Sequence, residues 1–170
     1  MKEKFCFWMK KTSFIFVIVS ILMLVGCGKE KEISVQAQYI RTDGLVENVE
    51  YPVIQKIQSK EELTQYYREN LDQYNFSDNS ATSVSFTTAI DKYDESYFED
   101  SFLVIVLLEE EGSSILHHVK KVSDDGNILI EKIMPDMEST DIANWHILIE
   151  VDKKYKDLDF KVSFDKISNT

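Results

Sequence analysis

Phe102-Leu103-Val104-Ile105-Val106-Leu107-Leu108 decides the fold: seven apolar residues run without a break until Glu109-Glu110-Glu111-Gly112 closes them off. A run this short, and this rich in valine, leucine and isoleucine, reads as a β-strand buried on both faces. Working downstream, Ser114 to Val122 forms a second strand, Ser123-Asp124-Asp125-Gly126-Asn127 is a hairpin turn of the Asp-Gly type, and Ile128 to Met134 returns until Pro135 stops it. After a loop from Asp136 to Ala143, the segment Asn144 to Val151 is another strand, with Trp145, Ile147, Ile149 and Val151 on one face. Phe160, Val162 and Phe164 alternate with Lys161, Ser163 and Asp165 in a last strand.

Upstream of the apolar run the periodicity changes. Ile33, Val35, Ala37 and Tyr39 alternate with polar residues as a half-buried strand, with a turn at Arg41-Thr42-Asp43-Gly44 and a short strand from Val53 to Gln58. Ser59-Lys60-Glu61-Glu62 reads as a capping box, with Ser59 at the N-cap and Glu62 reaching back to its amide. Leu63, Tyr66, Tyr67, Leu71 and Tyr74 then follow at helical spacing, which predicts a helix over 60–73. The tyrosine pair is read as a core face with hydroxyls at its rim rather than a ligand platform. Phe86, Ile90, Tyr93 and Tyr97, with Thr88 as cap, predict a second helix near 88–99, or a strand end followed by one turn. Strands joined by hairpin-length links give an α+β class: a mainly antiparallel sheet of about six or seven strands, with one or two helices in the N-terminal half.

The first 26 residues have a different character. Lys2, Lys4, Lys10 and Lys11 form a positive start, Phe14 to Val25 is apolar except for Ser20, and Leu24-Val25-Gly26-Cys27 ends the segment. A run of roughly a dozen apolar residues is short for a span, which takes about 20, and fits a signal h-region. The final four residues resemble a bacterial lipobox. That resemblance implies cleavage between Gly26 and Cys27, lipidation of Cys27, and a mature protein held by its lipid on the extracytoplasmic face of the cell membrane. Residues 27–32 would be a short tether and 33–170 a single domain.

Removing the leader takes four lysines and one glutamate with it, leaving 15 basic and 29 acidic residues, a net charge of −14 over 144 residues. A nucleic-acid partner is excluded on this balance, because phosphate binding needs a basic footprint. Cys6 goes with the leader and Cys27 is consumed by the lipid, so no thiol remains for a disulfide, a nucleophile or a zinc site. No cofactor motif is present. There is no Gly-x-Ser-x-Gly elbow, and the one Ser-x-x-Lys, Ser163 to Lys166, lies on a predicted strand, so the chain does not read as an enzyme.

Three histidines are the only weak candidates for a metal. His117 and His118 are adjacent on a predicted strand and point to opposite faces, so a site would need one of them together with His146. Asp124 to Asn127 lacks the donor pattern of a calcium loop and reads as a turn, and Glu109 to Glu111 as a solvated strand end.

Between residues 57 and 151 the chain resembles the C-terminal domain family of PrcB-type proteins, associated with a spirochaete protease complex. The residues concerned are the helix entry Ile57 to Leu63, Tyr93-Asp94 with Tyr97-Phe98, the strand 102–108, Gly112-Ser113, Val119 with Val122-Ser123-Asp124-Asp125-Gly126, Pro135, and Trp145-His146-Ile147-Leu148-Ile149-Glu150-Val151. The family's Gly-Gly-Tyr is replaced here by Gly112, Ser113, Ser114 and Ile115. The pattern also resembles clostridial-type lipoproteins of unassigned role. The PrcB resemblance implies a non-catalytic domain that binds or stabilises another protein. A small-ligand or divalent-cation-binding lipoprotein is the alternative.

Overall fold

The two faces of the Phe102–Leu108 run are covered by different layers, as the computed structural model shows for the residues it describes, 31–44, 48–77, 84–137 and 139–168. Eight strands are present among the described residues: β1 (Glu32–Ile33), β2 (Gln36–Thr42), β3 (Val53–Ile57), β4 (Ser101–Glu110), β5 (Leu116–Ser123), β6 (Asn127–Met134), β7 (Ala143–Asp152) and β8 (Lys161–Ser168). Three helices, α1 (Lys60–Asn70), α2 (Phe86–Ile90) and α3 (Tyr97–Asp100), lie between β3 and β4 in sequence. The strands form two sheets, ordered β2-β7-β4-β3 and β1-β5-β6-β8. All neighbours are antiparallel except β6 and β8, which run parallel.

β4 and β7 pair along their whole length, from Ser101 opposite Asp152 to Glu110 opposite Ala143. On one face Phe102, Val104, Val106 and Leu108 of β4 join Trp145, Ile147, Ile149 and Val151 of β7 and pack on Ile33, Val119, Val122, Ile128 and Ile130 of the other sheet. On the opposite face Leu103, Ile105, Leu107 and Leu148 meet Leu63 and Tyr66 of α1, Phe86 and Ala89 of α2, and Phe98 of α3. Each fully buried branched side chain contributes roughly 1.5–3 kcal/mol. The central pair therefore holds all three layers together.

The N-terminal alternation divides between the sheets. Ile33 pairs with Val122 across β1 and β5, whereas Gln36 onward pairs with β7. Ile33, Val35, Ala37 and Tyr39 nonetheless all pack on the layer between the sheets, so the face is kept while the strand partner changes. The strand also runs on through Thr42, so the turn comes later than expected, and Gly44 bridges to Tyr74. Where β5 shifts register between Val119 and Lys121, the Val119 N–H donates to the Tyr39 hydroxyl at 2.7 Å.

Helix α1 starts as expected, with Ser59 Oγ accepting from the Glu62 amide at 3.1 Å, but Glu62 Oε2 accepts from Gln58 N at 2.6 Å rather than from Ser59. The helix ends at Asn70, before the expected 73, because Asn70 O takes the amides of both Gln73 and Tyr74 in a closing turn. The second helix expected near 88–99 is two short ones. Ser85, not Thr88, caps the first, accepting from Thr88 N at 3.2 Å, and Asp94 accepts from Tyr97 N at 3.0 Å to start the next. Between them Tyr93 is buried and its hydroxyl donates to Glu150 Oε1 at 3.0 Å.

The Asp-Gly hairpin between β5 and β6 is fixed by its packing. Gly126 has φ +86°, and a Cβ there would lie 2.3 Å from Asp159 O. Asp125 accepts from the Asn127 amide at 3.1 Å and pairs with Lys161 at 3.0 Å.

Candidate functional site

Glu110, His117 and Lys132 come together at one end of the space between the sheets. Each occupies the next inward position of its strand after a series of apolar ones: Phe102 to Leu108 at alternate residues on β4, Val119 on β5, and Ile128 and Ile130 on β6. Glu110 Oε1 lies 2.9 Å from His117 Nε2 and 2.7 Å from Lys132 Nζ. Glu110 is therefore buried, not part of a solvated strand end as the glutamate run suggests. Burial alone would raise its pKa, but the hydrogen bonds from His117 and Lys132 outweigh that and hold the carboxyl below its ordinary value. Lys132 Nζ also sits 4.5 Å from the centre of the Phe164 ring.

His117 stacks edge-on against Trp145, with ring centres 5.2 Å apart. Its Nδ1 and the Trp145 Nε1 are buried without a hydrogen-bond partner among the described residues. Beside the cluster is a cavity of about 360 Å³, lined by Glu109, Glu110, Glu111, Ile115, Lys132, Met134 and Lys166. Lys132 and Glu110 neutralise each other there, so the arrangement holds a charge pair in place.

A second polar group lies on the other side of the β4–β7 sheet. His146 is fully buried, its Nδ1 is 2.8 Å from Thr42 Oγ1, and Tyr66, Tyr74, Phe76 and Phe86 surround it edge-on with ring centres 4.9–5.9 Å away. Burial pushes its pKa down to about 3, so the ring is neutral. His146 Nε2 and Asn144 Oδ1 have no hydrogen-bond partner among the described residues. Tyr66 belongs to this core, and Tyr67 stacks on Phe76 and Phe86, which is the packing role expected of the pair.

The three histidines thus occupy three separate layers. His117 faces the space between the sheets, His146 faces the helices, and His118 is exposed on the outer face of the second sheet. The β4–β7 backbone separates His117 from His146, and the fold brings no two of the three together. No group of three or more histidine, cysteine, aspartate or glutamate side chains able to hold a metal occurs among the described residues. Gly26 and Cys27, the residues expected at the cleavage and lipidation site, lie outside the described residues. Ser113 and Ser114, which sequence leaves without partners, both meet Ser139, at 3.1 and 3.3 Å between hydroxyls.

The outer face of the second sheet carries partly exposed apolar residues. Leu116, Ile133 and Ile167 stand in one cross-strand row over β5, β6 and β8. Leu116 is 44 % exposed and Ile167 37 %. Lys120 bridges Glu131 at 2.7 Å and Asp165 at 3.5 Å on the same face, so charged residues border the row.

These features define an α+β domain of two stacked sheets and a helix layer. No family model, curated protein or solved structure matches the chain.

Proposed function

We propose that the chain is a lipid-anchored extracytoplasmic lipoprotein whose domain binds another protein and performs no catalysis itself. The observation that carries this reading is the row of exposed Leu116, half-buried Ile133 and exposed Ile167 on an outer sheet face. Apolar side chains aligned across strands and bordered by charge are the composition of a contact surface. The lipobox-like Leu24 to Cys27 supports attachment to the membrane, and because Glu32 already belongs to β1, the stretch Gly28 to Lys31 would keep the domain within about 14 Å of it. A mature charge of −14 favours a partner with basic groups around its apolar contact.

The reading as a small-ligand or cation-binding lipoprotein has the cavity beside Glu110 in its favour. Against it, Glu110 Oε1 is already taken by both His117 and Lys132.

A photocrosslinking amino acid at Leu116 is expected to capture one defined protein in intact cells, and the same probe at Gln65 on α1, on the opposite layer, is expected not to. Ile133→Glu should reduce the Leu116 product about tenfold, as burying an unpaired charge in an apolar contact costs at least about 1.4 kcal/mol. Equal yields from both positions, or a product indifferent to Ile133→Glu, would contradict the proposal.

A further inference from the structure

β8 is an edge strand of eight residues whose only strand neighbour among the described residues is β6. Its sequence, Lys161-Val162-Ser163-Phe164-Asp165, is complementary to itself when reversed: cation opposite anion at the ends, apolar opposite apolar next, and serine at the centre. We infer that β8 pairs antiparallel with β8 of a second copy of this chain, about a twofold axis through Ser163, to make one continuous eight-stranded sheet.

The backbone presents the right groups for this. Lys161 N donates to Gly126 O at 3.1 Å. In a parallel pair, residues that bond to the neighbour alternate with residues whose N–H and C=O point away. Lys161, Ser163 and Asp165 therefore bond toward β6, and Val162, Phe164 and Lys166 turn their backbone groups to the free edge. In the twofold register Val162 and the partner's Phe164 become a hydrogen-bonded pair, while Ser163 faces its own copy across a non-hydrogen-bonded position.

The side chains agree with the backbone. Val162 packs on the layer between the sheets and Phe164 lies under Lys132, so both point inward. Lys161 and Asp165 are on the outer face, where each is already in an ion pair, with Asp125 at 3.0 Å and with Lys120 at 3.5 Å. The pairing places Lys161 opposite the partner's Asp165 and joins the two ion pairs into one alternating chain of charge. One residue further out, Phe160 comes opposite the partner's Lys166, a cation over a ring. Charged residues on an edge usually discourage pairing. Here every one of them meets its complement.

A strand pair of this length covers less than the roughly 1,200 Å² of a standard interface, so the association is reversible and a covalent trap reads it best. The inference depends on β8 alone, independently of the tether and of any other partner. Cα atoms at a non-hydrogen-bonded antiparallel pair are about 4.5 Å apart, within the range of about 4.4–6.8 Å that a disulfide requires. The test uses the full chain in detergent under a mild thiol oxidant, with the parent chain setting the background from Cys6 and Cys27. Ser163→Cys is expected to give a disulfide-linked dimer well above that background, and His118→Cys, exposed on the same face, is not. Adding Asp165→Lys should slow linkage about tenfold by setting like charges opposite each other twice, and adding Lys161→Asp as well should restore it. No dimer above background from Ser163→Cys, or linkage unaffected by the charge reversals, would overturn the pairing.

Discussion

Glu110→Ala is expected to lower the unfolding free energy by about 3–5 kcal/mol, because it leaves Lys132 largely buried without its counter-charge. One carboxylate oxygen serves both His117 and Lys132, and the Lys132 side chain is only 18 % exposed. Replacing all three residues together by Glu110→Met, His117→Leu and Lys132→Met should bring stability back to within about 1–2 kcal/mol of the parent, since an apolar trio of similar volume carries no desolvation cost. Urea unfolding followed by the fluorescence of Trp145, which touches His117, measures both. A single variant as stable as the parent, or a triple variant as damaged as the single one, would show that the cluster is not coupled in this way. The pH dependence has a definite sign. Glu110 has a lowered pKa in the fold, so its contribution is complete above the unfolded value of about 4.3 and is lost as pH falls through the lower folded value.

The second large effect belongs to His146, and it acts at milder pH. Its folded pKa of about 3 lies below the unfolded 6.5, so protons bind the unfolded chain preferentially. Stability from this residue is complete above pH 6.5 and falls by about 1.4 kcal/mol for each unit below it, down to the folded pKa. His146→Gln keeps a hydrogen-bonding partner for Thr42 without a titrating ring. Between pH 6.5 and 5 the parent should lose about 2 kcal/mol more than this variant, as read from denaturant midpoints at each pH. Parallel slopes for parent and His146→Gln would mean that the buried ring accepts a proton without penalty.

Much of the fold was legible in single strands, and much less in how they group. The unbroken apolar run of β4 announced burial on both faces, and Trp145, Ile147, Ile149 and Val151 do share one face of β7. The division into two sheets was not legible, because alternation records which way side chains point and not which edge pairs with which. Ile33 shows this best: it keeps the alternation of Val35 and Tyr39 but pairs in the other sheet. Tyr93 and Tyr97 have helical spacing yet sit on a turn and a short helix, where Asp94 restarts the chain and the Tyr93 hydroxyl reaches Glu150. The charged cluster could have been found only in part. Glu110, His117 and Lys132 share the parity of their strands' buried apolar residues, but β4 and β6 are apolar at both parities, so sequence alone does not say which face is the inner one. The aromatic surround of His146 could not have been found, since it depends on how α1, α2 and the turn holding Tyr74 and Phe76 dock onto β7.

The proposed attachment through Cys27 stands at the centre of this account, because it would set the compartment, remove Cys6 and four basic residues, and hold the acidic domain near the bilayer. Labelling cells with a fatty-acid analogue while they express the parent chain or Cys27→Ser tests it most directly. The parent should carry the label and migrate as a processed form, and Cys27→Ser should carry none and accumulate as the unprocessed precursor. Label retained on Cys27→Ser, or normal processing of that variant, would contradict the account.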